Sequence, residues 1–148
     1  MKIEFTKEQF EALLKAVYLG NWMANAIHNR TKEDPQDEKI EEIEDYVFSF
    51  AKEFGFDNYV DYDQKYKKHF PTNEFDEVAQ KYVEDYDEDC FWDELFHRIS
   101  DRDFDRTYSD EEISKMEMRE RFEKEEPFRE KWNNELNEQG IERLEIKE

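Results

Sequence analysis

Three side chains able to hold a polar ligand share one helical stripe early in the chain: Asn21, Asn25 and His28, with Trp22 beside them. Spacings of four and three put them on one helix face. Amides offer donors and acceptors together, and imidazole can act as a base or bind a metal. The same stripe begins with Phe10, Leu14 and Val17, so its core-facing line turns polar halfway along. Burying such groups without partners costs about 1–3 kcal/mol each. A satisfied internal network is the expected outcome, and a pocket for a small polar ligand is the alternative.

A second stripe carries Cys90, Glu94, His97 and Asp101. Glu-x-x-His is a half-motif of di-iron carboxylate bundles, which need a second such pair. The sequence holds no second half, and the stripe lies opposite the apolar face of Trp92, Leu95, Phe96 and Ile99. Glu94, His97 and Asp101 are thus the metal candidates, on a face expected to be wet. No cofactor is expected, a divalent metal here being the exception. Cys90 is surrounded by Asp87, Glu88, Asp89 and Asp93, which disfavour a thiolate and hence a cysteine nucleophile.

Paired acids give a third possibility: Glu41 with Glu44, Glu74 with Glu77, Glu84 with Asp87. All-helical nucleotide pyrophosphohydrolases hold Mg²⁺ through such pairs, and magnesium needs oxygen ligands. With 42 acids among 148 residues, however, this spacing arises readily by chance. Arg98, Arg102 and Arg106 could clamp a phosphate. Asp101, Asp103 and Asp105 interleave them, which favours surface ion pairs. Gly20, Gly55 and Gly140 are the only glycines, so no Gly-rich phosphate loop exists.

Net charge is −20, a field that repels nucleic-acid phosphates and anionic membranes. Nucleic acid and membrane are therefore not expected as partners; another protein or self-association is. Mimicry of nucleic acid is a further alternative, requiring carboxylates at duplex phosphate spacing. One cysteine permits no internal disulfide, and residues 1–10 show no apolar signal run. A cytoplasmic location is the expectation.

The elements that must position these residues follow from periodicity. Residues 16–29 contain no charged side chain although 43% of the chain is charged. Phe10, Leu13, Leu14, Val17 and Ala24 form one stripe. Leu19, Trp22, Met23, Ala26 and Ile27 cover much of the rest. This predicts a central helix, capped by Thr6 and Gln9, running to about Asn29 and buried on most sides. A second helix is expected over residues 36–54, stopped by Gly55. Tyr59, Tyr62, Tyr66 and Phe70 suggest a short third helix before Pro71. Phe75, Val78, Ala79, Tyr82, Val83 and Tyr86 line the next, with a kink or break at residues 87–89. Ser109 and Glu112 cap a charged helix over 110–125, and Pro127 suggests a kink before a final helix ended by Gly140. Leu144 and Ile146 could pair with residues 2–6 as a two-stranded ribbon.

The expected fold is mainly α: one domain, a compact bundle of about five to seven helices, with the small ribbon from the termini as a secondary feature. The expected function is a protein-interaction or regulatory module without catalytic activity. Met116, Met118, Phe122, Phe128 and Trp132 form its candidate surface. The alternative is a small-molecule or divalent-metal-dependent enzyme with its pocket near the first helix.

Overall fold

Thr6 starts the first helix as expected. Its side chain accepts from the Gln9 backbone N–H while Gln9 reaches back to the Thr6 N–H. The computed structural model describes residues 2–28, 31 and 33–145. Its elements in order are α1 (Lys7–Asn25), α2 (Glu38–Phe48), a 3₁₀ turn (Ala51–Phe54), strands β1 (Val60–Asp63) and β2 (Lys68–Pro71), α3 (Asn73–Thr107), α4 (Asp110–Lys115) and α5 (Met118–Gln139). The protein is thus mainly helical with a small antiparallel sheet. It divides into two compact units, Met1–Asp85 and Tyr86–Glu148.

The first unit is built on aromatic rings. Phe10 and Leu14 of α1, Phe48 of α2, Ala51, Phe56, and Phe75 and Ala79 of α3 form its buried core. Phe10 stacks on Phe54 with centroids 4.0 Å apart, and Phe75 meets Tyr18 and Phe48 edge-on. Each such ring removes roughly 150–250 Å² from water, so a chain this charged still closes a core. In the second unit Ile99 and Phe104 of α3 and Trp132 of α5 are buried. Phe128 meets Phe104 edge-on, and the Trp132 indole donates to Asp103.

The structure corrects several sequence expectations. α1 is not sealed on most sides: it buries one face, while Met23 is 56% and Ile27 81% exposed. Freedom from charge did not mean burial, because Ala16, Gly20 and Ala26 offer little apolar area to cover. The helix also ends at Asn25, whose own groups are taken by the returning chain; Asn29, its expected end, lies outside the described residues. Residues 60–71 form a hairpin rather than a helix, with Val60 opposite Pro71 and Asp63 opposite Lys68. Asp63 Oδ1 accepts from the N–H groups of Lys65 and Tyr66, and Lys67 takes the left-handed conformation that closes the loop.

The two-stranded sheet is therefore this hairpin and not a terminal ribbon. Residues 2–6 and Leu144 form no strand, and Ile146 lies outside the described residues. The second helix stops at Phe48, giving way to the 3₁₀ turn before Gly55 at φ 77°. α3 continues without a break through residues 87–89. Its buried apolar side chains are Phe75, Ala79 and Val83 in the first unit and Ile99 and Phe104 in the second. Between α4 and α5 the break falls at Met116, with ψ 133°, and α5 runs through Pro127. A proline inside a helix removes one backbone hydrogen bond, a loss the flanking turns of α5 withstand.

Candidate functional site

Asn25 is where α1 meets the segment that leads into α2. It is 6% exposed, so its amide must be satisfied within the protein. Its Oδ1 accepts from the Asp37 N–H at 2.7 Å, and its Nδ2 donates to Asn21 Oδ1 at 2.7 Å and to the Asp37 carbonyl. Gln36 Nε2 donates to the Asn25 carbonyl at 3.2 Å, and Asp37 itself caps α2. Asn21 passes the chain of bonds on, donating to Glu44 Oε2 at 2.5 Å.

This network forms one wall of an open cleft of about 310 Å³ rather than a sealed interior. Trp22 and Tyr18 of α1, Glu41 and Glu44 of α2, and Phe70 and Pro71 of β2 complete its lining. Burial pushes the Glu44 carboxyl up to about 7. The Asn21 hydrogen bond works against that rise, the nearby charges of Glu41 and Asp45 reinforce it, and Lys68 opposes it. Burial also raises the Tyr18 hydroxyl well above its ordinary value, as does its donation to Asp76. Glu41 holds Lys68 at 3.0 Å, and Asp45 binds His69 through both its backbone N–H and its ring. These pairs fasten β2 against α2.

Of the four sequence candidates here, Asn21, Trp22 and Asn25 line the cleft. His28 does not: its Nδ1 faces Asp34 Oδ1 at 2.5 Å. The sequence reading named Glu44 only as half of an acid pair and missed its place. The available signal was that its i ± 4 neighbours, Ile40 and Phe48, are both apolar, which puts it at the edge of the buried face of α2.

The second unit has a groove of about 530 Å³ with a mixed apolar and charged lining. Ile113 and Met116 line it with Met118 and Phe122 of α5. Met118 is 77% and Phe122 58% exposed. Charged side chains line it as well: Glu125, itself 6% exposed, accepts from Arg121 Nε at 2.7 Å and Arg129 Nη2 at 3.3 Å. Phe128 and Trp132, named with these residues from sequence, pack inward instead. Trp132 reaches Asp103 at 2.8 Å. Burial alone would raise the Asp103 carboxyl, but donation from Arg102, Trp132 and Lys131 holds it below its ordinary value.

Glu94, His97 and Asp101 are not brought together as ligands. Glu94 accepts from Arg98 at 2.8 Å, His97 Nε2 lies 3.5 Å from Asp93, and Asp101 lines the groove beside Met118 and Phe122. Among the described residues no group of three or more His, Cys, Asp or Glu is placed to hold a metal ion. Nor is any helix of the described residues long and apolar enough to cross a membrane. Comparison with protein-family models, with curated proteins and with solved structures found no match.

Proposed function

We propose that the protein is a non-catalytic interaction module whose second unit docks a basic amphipathic helix of another protein. The observation that carries this reading is the open groove. Met118 and Phe122 stand one helical turn apart on α5 with their side chains largely in water. Thioether and aromatic walls of this kind adapt to varied apolar side chains, and a partner helix would seat anchors three or four residues apart in them.

Charge selects the partner. Residues 86–148 hold 22 acids and 11 bases, so a basic segment is drawn in. A second copy, itself carrying −20, is repelled. Arg121 and Arg129 do not reverse that preference, because both are committed to Glu125.

The test uses a Leu/Lys amphipathic helical peptide and a scrambled peptide of equal composition, followed by fluorescence anisotropy. The protein should prefer the amphipathic peptide by about tenfold. The Met118→Asp/Phe122→Asp variant, altered only at exposed positions, should lose that preference. Equal affinity for both peptides overturns the reading. So does a homodimer, seen by sedimentation, that the double variant dissociates.

A further inference from the structure

The groove leaves the first unit without a role, and the cleft there has a different chemistry. We propose that it recognises an organic cation, with an ammonium or guanidinium head on Glu44 and the carbon body against Trp22 and Phe70.

Apart from the Trp22 indole N–H, which has no partner among the described residues, the cleft's donors are largely committed within the protein while its acceptor capacity is not. Its Asn25 amide is spent on Asn21 and Asp37, and its Tyr18 hydroxyl on Asp76. Gln36 is held by the Asn25 carbonyl. The Glu44 carboxylate, by contrast, has roughly four lone-pair sites, and Asn21 is its one hydrogen-bond donor among the described residues. None of the described cations stands within ion-pair distance of it; Lys68 is on Glu41 instead. A group that completes Glu44 must therefore donate.

Positive charge is favoured on two further grounds. Trp22 and Phe70 are both on the lining, and aromatic rings attract cations through their quadrupoles. A chain of net charge −20 concentrates cations and repels anions. An inorganic ion suits the site less, since Mg²⁺ and Ca²⁺ require several oxygen ligands in a shell, whereas part of this wall is aromatic. A volume of about 310 Å³ accommodates a small amine or the end of a long basic side chain. The same head group could belong to a free amine or to a lysine or arginine side chain of a peptide.

Benzylamine, its neutral counterpart benzyl alcohol, and the peptide acetyl-Gly-Lys-Gly-amide serve as probes, read by ¹H–¹⁵N NMR of the full chain. Benzylamine should move the Trp22 indole and the Asn21 and Asn25 amide signals saturably, leaving the Trp92 and Trp132 indoles still. Benzyl alcohol should bind about tenfold more weakly. Peptide binding at the same signals assigns the cation to a side chain; binding of benzylamine alone assigns it to a small molecule. Glu44→Gln keeps an acceptor for Asn21 and should weaken benzylamine about tenfold.

A pH series on the unaltered protein guards against a misfolded variant. Affinity should fall about tenfold from near pH 8 to near pH 6 as Glu44 takes up its proton. The other titratable groups around it are Glu41 and Asp45 of α2, Tyr18 of α1 with Asp76, and Lys68 and His69 of β2. Equal binding of amine and alcohol, unmoved signals at millimolar benzylamine, or a flat pH series overturns the proposal.

Discussion

Glu44 ties stability to pH with a definite sign. Its carboxyl titrates near 7 in the folded protein against 4.5 for an ordinary glutamate, because burial penalises the anion. The folded state therefore holds this proton more tightly than the unfolded chain. The resulting stability is complete below about pH 4.5 and is lost as pH rises through about 7. One pKa unit corresponds to about 1.4 kcal/mol, and the carboxylate is partly solvated, so the loss should be about 2 kcal/mol. Urea unfolding near pH 5 and near pH 8 should show it, and Glu44→Gln should remove most of the difference. An equal slope in the variant would place the titration elsewhere. At this scale the sequence revealed the amide stripe, since helical spacing alone aligns Asn21 with Asn25. It did not reveal which carboxylate faces them, because that depends on how α2 returns against α1.

Among the elements, the hairpin rests on one side chain. Asp63 Oδ1 accepts two backbone N–H groups, at 2.7 Å from Lys65 and 3.1 Å from Tyr66. Asp63→Ala should cost about 1 kcal/mol. The register signals of Asp61 and Phe70 should broaden or shift first in NMR spectra. An unaltered hairpin at full stability would contradict the role given to this turn. The hairpin was hard to see beforehand because its strands are four residues each, too short for a period of two to stand out. Tyr59, Tyr62, Tyr66 and Phe70 happen also to satisfy helical spacing. Both capping boxes, by contrast, were legible, since Thr6 with Gln9 and Ser109 with Glu112 act through local geometry alone. The continuity of α3 was not, because Asp87, Glu88 and Asp89 interrupt the apolar pattern without interrupting the backbone bonds.

For the molecule as a whole, a net charge of −20 predicts that charge repulsion outweighs charge pairing. Many Glu–Lys and Glu–Arg pairs one helical turn apart lie on the surface, each contributing about 0.3–0.5 kcal/mol. Against them stands a net −20, with acids exceeding bases in both halves of the chain. Salt weakens both effects, and the larger one decides. The thermal midpoint should rise between about 10 mM and 150 mM NaCl, as the screening length falls from about 30 Å to about 8 Å. A falling midpoint would mean that the surface pairs dominate. The uncharged stretch of α1 has a practical consequence as well. Trypsin cuts only after lysine and arginine, and finds neither between Lys15 and Arg30. A single tryptic fragment therefore carries Asn21, Trp22, Asn25 and His28 together, and mass spectrometry can follow irreversible radical labelling of Trp22 on the cleft wall within that one peptide.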